Sequence, residues 1–260
     1  MLIDGKKIQQ EIKDELKGLV EKCEKAPSLG VLLVGEDPAS EKFVSLKKTF
    51  GEDIGVDVWI KILPESASTE DVLFSLKNLE TDGVVVQLPL PKQVDERVVL
   101  SSIPKEKDID NLNGGDFVDP VAGAVFDILD RHSVELNNKK IVVVGDGKLV
   151  GLPVVEVLKS RDLDHIVVTL NTPENIKKEL FSNADLIITG AGDPHFLKRD
   201  MVKKGVVIID AGTSERSGKL EGDVCPSCDW KSSLMTPTPG GIGPITIAIL
   251  FKNLLKTCTN

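Results

Sequence analysis

Five short stretches of this chain carry residue types and spacings that can do chemistry. Phe43 and Lys47 stand four apart, so on a helix they share one face. A lysine beside an aromatic ring is ordinarily a solvated amine whose stem packs on the ring. It becomes a proton carrier only where burial lowers its pKa toward neutrality. Gln87-Leu88-Pro89-Leu90-Pro91 follows an apolar run. Gln87 there is either a turn-capping amide or a hydrogen-bonding group at a strand's carboxyl end, where open α/β sheets bind their ligands. Lys107-Asp108-Ile109-Asp110 puts two carboxylates in a loop, a placement that by itself suits solvation or capping. Gly145-Asp146-Gly147-Lys148-Leu149-Val150-Gly151 spaces its glycines as GxGxxxG, one residue longer than the usual dinucleotide fingerprint. It reads either as a cradle that lets backbone approach a pyrophosphate or as a tight turn with no ligand. Finally, residues 236–246 read Thr-Pro-Thr-Pro-Gly-Gly-Ile-Gly-Pro-Ile-Thr, too rigid and apolar for a surface linker, and suited to presenting backbone groups and positive φ.

The surrounding elements must position these groups. Ile8, Ile12, Leu16, Leu19 and Cys23 recur at helical spacing, predicting an amphipathic helix over 5–24. Residues 29–34 read as a buried strand. Asp37 and Pro38 suit the N-cap and first position of a second helix, which carries Phe43 and Lys47. A strand over 56–62, a helix over 69–79 and a strand over 83–88 follow. The second half repeats the alternation: a helix near 122–132, a strand at 140–144 with the continuous apolar character of a central parallel strand, a helix to 158, strands at 166–170, 184–189 and 206–210, and an apolar helical tail over 244–255. Alternating strands and helices imply parallel sheets covered on both faces. Two such sets predict two α/β domains with a cleft between them, the second a Rossmann-like dinucleotide-binding domain. The boundary falls in the glycine- and aspartate-rich stretch 110–120. The expected division is residues 1–116, joined by the tail 243–260, and residues 117–242.

Composition narrows the function classes. The 260 residues are 41% hydrophobic and 28% charged, with a formal net charge of -9. A generally acidic surface argues against nucleic-acid binding, which needs a basic face. The N-terminus lacks the apolar core of a signal peptide, and no apolar run reaches the roughly 18 residues needed to span a bilayer. The expected location is the cytoplasm, with no membrane partner. Cys225 and Cys228 form a lone CxxC. The three histidines are scattered, so no metal site is expected and ordinary unpaired thiols outweigh a redox or metal role. The chain contains no Tyr at all.

Taken together, Val34-Gly35-Glu36-Asp37-Pro38-Ala39-Ser40 followed by Lys47, the segment from Asp82-Gly83 through Gln87-Leu88-Pro89-Leu90-Pro91, Lys107-Asp108-Ile109-Asp110, and residues 236–246 resemble, in the same order, the bifunctional methylenetetrahydrofolate dehydrogenase/cyclohydrolase family. The resemblance runs from about residue 2 to 256. It implies oxidation of 5,10-methylenetetrahydrofolate to the methenyl compound with a nicotinamide cofactor, and hydrolysis of that compound to 10-formyltetrahydrofolate. Lys47 would be the catalytic lysine, Gln87 would position it and the substrate, and Asp110 would grip the pterin ring. Phe43 would stack on the folate, and Pro237, Gly240 and Gly241 would line its site. Gly145, Asp146, Gly147, Thr172 and Thr213 would face the dinucleotide, expected to be NADP with NAD usable. The family is usually homodimeric, and its last helix packs back on the first domain.

The departures from the family are informative. Phe43 stands where a Tyr is usual, Asp146-Gly147 where Arg-Ser is usual, and Asn171-Thr172 where His-Ser is usual. After Asp110, Asn111-Leu112-Asn113-Gly114 replaces Gly-Phe-His-Pro, and the loop from there to Pro120 is short. These changes touch the active-site and cofactor loops, so they bear on efficiency and cofactor choice rather than reaction class. Two rivals stay open at this level. A different nicotinamide dehydrogenase of the same architecture would account for residues 140–213 but not for the proline-rich segments. A non-enzymatic folate or nucleotide binder would suit the altered loops but not the joint presence of Lys47, Gln87 and Asp110.

Overall fold

The computed structural model describes residues 1–216 and 218–258. Among them two compact units stand out: residues 9–120 with 247–258, and Met1–Ile8 with the described residues of 121–246. The sequence pattern assigns the first eight residues to the first domain. The structure packs them with the second unit, where Leu2 bridges Met235 and the Ile3 amide donates to Met235 O at 2.9 Å.

The unit of residues 9–120 holds a three-stranded parallel sheet in the order β2 (Asp57–Leu63), β1 (Ser28–Val34), β3 (Gly83–Val86). All seven residues of β1 are buried, as a strand covered on both faces requires. Helix α1 (Gly5–Val20) enters this unit after its first turn. Helices α2 (Pro38–Ile54), α3 (Thr69–Lys77) and α4 (Glu96–Ser101) complete the layers. The expected start of α2 is met residue for residue: Asp37 accepts from the backbone N–H and the hydroxyl of Ser40, both at 2.8 Å, and Pro38 occupies the first turn. β3 ends at Val86, two residues before the sequence pattern predicts, because the prolines that follow lack the ladder donor.

The second unit begins with α5 (Pro120–Arg131) and contains β4 (Ile141–Val144), α6 (Gly151–Ser160), β5 (His165–Val168), α7 (Glu174–Asn183), β6 (Leu186–Thr189), β7 (Val207–Asp210), the hairpin β8 (Ser214–Arg216) and β9 (Lys219–Glu221), and β10 (Leu234–Met235). Its five parallel strands run in the order β10-β7-β6-β4-β5. β5 stops short of the expected 170, leaving Leu170 92% exposed in the turn beyond it. α7 escapes the sequence pattern because it is mostly polar and fully buries one side chain, Phe181. The tail helix α8 (Ile242–Cys258) starts two residues before the expected Pro244, which the first turn of a helix tolerates. Its residues from 247 onward pack in the first unit. There Phe251 lies 5.1 Å from Phe50, and Asn253 donates to Ile109 O at 2.9 Å and Val118 O at 2.7 Å. No helix among the described residues is long and apolar enough to cross a membrane.

Candidate active site

In α2 the residues Ser40, Val44, Gly51 and Ile54 are buried, and Lys47 falls on the same helical stripe. Its amine therefore points where an apolar side chain would ordinarily sit. Gln87, the first residue after β3, is 8% exposed. Its backbone N–H continues the ladder to Leu32 O at 2.9 Å, and its side-chain N–H donates to Leu88 O at 2.8 Å. That bond turns the amide oxygen outward to accept from Lys47 Nζ at 2.7 Å. Helix and strand thus converge on one hydrogen bond.

Asp110 completes the group. Burial drives the Lys47 pKa below the ordinary lysine value, opposed by the charge of Asp110. Burial likewise raises Asp110, opposed by Lys47 and reinforced by Asp108. Both shifts favour uncharged forms, the condition under which a lysine can take up a proton near neutral pH. Asp108 is fully buried. One of its carboxylate oxygens accepts from the Asn113 N–H at 2.6 Å; the other has no hydrogen-bond partner among the described residues. The short loop beyond Asp110 is held by its own asparagines. Asn111 takes a positive φ of 56° and accepts from the Gly115 N–H at 2.7 Å, and Asn113 donates to Ile103 O at 3.0 Å. Phe43, one turn before Lys47, is 39% exposed.

The remaining expected site residues belong to the second unit. Gly145 follows β4 with φ 99°, and a Cβ there would come within 2.6 Å of Gly190 O. Gly151 opens α6 so close to the turn that a Cβ would meet Gly145 O at 2.1 Å. Around Gly147 the space is open, and the N-terminus of α6 has no side-chain cap. An open glycine turn at a helix N-terminus without a side-chain cap suits a pyrophosphate, so the residues fit a dinucleotide. Asp146 is exposed. Thr172 accepts from the Thr169 N–H at 3.0 Å, which leaves its hydroxyl hydrogen free to donate. Thr213 lies exposed just past β7. In the last loop Gly240 adopts φ 100° and its carbonyl accepts from the Gly5 N–H at 2.9 Å, with Gly241 and Pro237 in the same turn.

Lys47, Gln87 and Asp110 are therefore brought together in one unit, and Gly145, Asp146, Gly147, Thr172, Thr213, Pro237, Gly240 and Gly241 lie in the other. The sequence motifs assigned no role to two buried acids, Asp210 and Asp223, that organise the strand ends of the second unit. An acid at the end of a strand, as Asp210 is, or after a glycine, as Asp223 is, carries no local signal that it braces other loops. In the CxxC, Cys228 is buried, its thiol is pushed up to about 11 by burial, and it donates to Leu197 O at 3.4 Å.

Comparison with known proteins agrees with this geometry. Residues 3–110 match the family model "Tetrahydrofolate dehydrogenase/cyclohydrolase, catalytic domain", and residues 120–260 match the model "Tetrahydrofolate dehydrogenase/cyclohydrolase, NAD(P)-binding domain". The bifunctional protein FolD of Halothermothrix orenii is 36% identical over 98% of this chain and 96% of its own length. That of Aquifex aeolicus is 37% identical over 99% and 94%. Among solved structures, the bifunctional methylenetetrahydrofolate dehydrogenase/cyclohydrolase of Campylobacter jejuni gives a TM-score of 0.93 at 32% identity, covering 100% of this chain and 99% of that one. The Trypanosoma brucei enzyme, solved with NADP cofactor and inhibitor, gives 0.92 at 30% identity over 99% and 96%. With both family domains matched in order along nearly its whole length, the chain belongs to the tetrahydrofolate dehydrogenase/cyclohydrolase family.

Proposed function

We propose that Lys47, Gln87 and Asp110 are the machinery with which this enzyme oxidises 5,10-methylenetetrahydrofolate and hydrolyses the methenyl product to 10-formyltetrahydrofolate. The observation that carries the assignment is the 2.7 Å hydrogen bond from a pKa-lowered Lys47 to Gln87 Oε1. In the oxidation the protein must hold the methylene carbon in line with its acceptor, which is a positioning effect. A bound nicotinamide ring supplies the hydride acceptor. In the hydrolysis, water adds to the methenyl carbon of the cation and its proton passes to the neutral Lys47 amine. The resulting ammonium protonates the ring nitrogen as the carbon–nitrogen bond breaks, and loss of the hydroxyl proton leaves the formyl group. Gln87 holds the amine in place, Asp110 binds the pterin, and Phe43 offers an aromatic face without a phenol.

The cofactor is NADP, held less selectively than in relatives, with NAD as a usable second. The NADP complex of the Trypanosoma brucei relative supports this. So does the turn after β5, Thr169-Leu170-Asn171-Thr172, which carries no acid to claim a ribose hydroxyl. The exposed Asp146 weakens the preference. The enzyme works in the cytoplasm as a homodimer. Four thiols outside any disulfide suit a reducing compartment. Trp59 and Ile62 on the edge strand β2 and Phe74 on α3 are 63%, 60% and 72% exposed, large apolar side chains on an unpaired sheet edge and a nearby helix of the same unit that a second copy could cover. Ultraviolet absorbance tests the assignment: methenyl product must form from the methylene compound with NADP and decay without cofactor. Formation without decay would reduce the protein to a dehydrogenase, and neither would leave only a binder.

A further inference from the structure

The strand ends of the second unit are tied together by two carboxyl groups that the reaction chemistry does not use. Asp223 is 1% exposed and Asp210 2% exposed. The two oxygens of Asp223 accept from the Ala191 N–H at 2.7 Å and the Asp193 N–H at 2.9 Å, gripping the loop that leaves β6. Asp210 ends β7. One of its oxygens accepts from the Thr189 hydroxyl at 3.0 Å, the Gly212 N–H at 3.1 Å and the Asp223 N–H at 3.2 Å; the other accepts from the Val224 N–H at 3.1 Å. A Cβ on Gly212 would lie 2.1 Å from the Asp223 carboxyl carbon, so the β7 exit can pass only as glycine. Outside this hub, Ser214 Oγ donates to Gly192 O at 3.0 Å, closing the same loop at the rim.

The sheet order says what this hub faces. The open glycine turn follows β4, with β5 on one side and β6 and β7 on the other. In doubly wound sheets a dinucleotide lies across the carboxyl ends of the strands, one half to each side of the switch point. The turn after β5 takes the adenosine half, which leaves the exits of β6 and β7 for the nicotinamide half. We infer that Asp223, seated on Asp210, is a positioning residue for the nicotinamide half of the dinucleotide, holding residues 190–193 in the shape that receives it. The inference rests on the reading that this unit binds NADP. A carboxylate is the side chain that meets the need, because it accepts from two main-chain N–H groups at once and presents no donor to either.

The test is Asp223→Asn, which keeps the shape but turns an NH2 group toward one of the two amides. NADPH affinity is read by fluorescence titration, and amide hydrogen exchange is followed at residues 190–193. Methenyl hydrolysis without cofactor, whose proton transfers fall to Lys47 in the other unit, is the control. The expected result is an NADPH Kd raised about tenfold or more, faster exchange confined to 190–193, and hydrolysis within about threefold of wild type. Unchanged NADPH affinity overturns the inference, and so does a parallel loss of hydrolysis, which would mark Asp223 as a general prop. If Asp223→Asn does not fold, Ser214→Ala decides. It loosens the same loop from outside the core and should raise the Kd about two- to tenfold, with no change overturning the proposal. Wild-type protein that binds neither NADPH nor NADH overturns the underlying cofactor reading; wild-type binding with unaffected variants overturns this inference alone.

Discussion

The two units solve different chemical problems with different parts of the polypeptide. Around Lys47 the work falls to side chains taken out of water: an amine on the buried stripe of α2, an amide turned toward it at the end of β3, and a carboxyl whose burial raises its pKa. Around Gly145 it falls to the main chain: a turn whose first and last glycines, Gly145 and Gly151, have no room for a Cβ, next to a helix end with no side-chain cap. Proton transfer needs a group whose pKa lies near the working pH, and here burial and a neighbouring charge set it. Holding a pyrophosphate needs several N–H donors at close range, which backbone supplies without any ionisable group. The first site should therefore be fragile to single side-chain changes, and the second should respond mainly in selectivity.

The sharpest way to break this contrast is Lys47→Met, which keeps the stem and removes the amine. General acid–base catalysis is typically worth about 10² to 10⁴-fold. Hydrolysis of methenyltetrahydrofolate should fall by that much, and a rate within about threefold of wild type would remove the lysine from the mechanism. Gln87→Ala leaves the amine but strips away its holder. Gln87 also holds the ammonium that the hydrolysis passes through, and hydrogen bonds to charged groups are worth about 1.5 to 3 kcal/mol, or about 10- to 150-fold; the loss should appear in kcat for hydrolysis, and a change confined to KM would make Gln87 a substrate contact only.

In the other unit Asp146→Arg should leave hydrolysis intact and shift kcat/KM toward NADP over NAD by about tenfold or more, since a charge-assisted contact replaces a repulsive one. No shift would mean that Asp146 faces away from the 2′ position. Phe43→Ala should weaken folate binding by about two- to tenfold, the range of an aromatic stacking contact. Equal folate KM in the two proteins would remove Phe43 from the site, and Phe43→Tyr should matter little.

The smallest effect expected is a displacement along the pH axis. A neutral Lys47 accepts the proton, so hydrolysis should rise with pH through the lysine's pKa and level off below the ordinary lysine range. The charge of Asp110 raises that pKa. Asp110→Asn should therefore move the rising limb toward acid, whatever it does to folate affinity. A limb that stays put or moves toward alkali would show that the two groups are not coupled.

Much of the fold was readable beforehand because periodicity and punctuation are local. Asp37-Pro38 starts α2 with its own cap, and the apolar run at 141–144 is a central strand. α7 and β10 were not readable, since the first is mostly polar and the second is two residues held in place by β7. Lys47, Gln87 and Asp110 were legible only through their motifs' resemblance to a family. Locally each has an ordinary reading as a solvated amine, a capping amide or a loop acid.

What the sequence by itself determined is the alternation of strands and helices, the glycine turn after β4 and the absence of an acid after β5. Each depends on neighbours along the chain. Tertiary structure alone decided that Lys47 meets Gln87, 40 positions away, that burial shifts the lysine and Asp110 toward their neutral forms, and that Asp210 and Asp223 brace the ends of β6 and β7. Desolvation and long-range hydrogen bonding belong to the surroundings of a group, and those surroundings are assembled by strand pairing and helix packing between segments far apart in sequence.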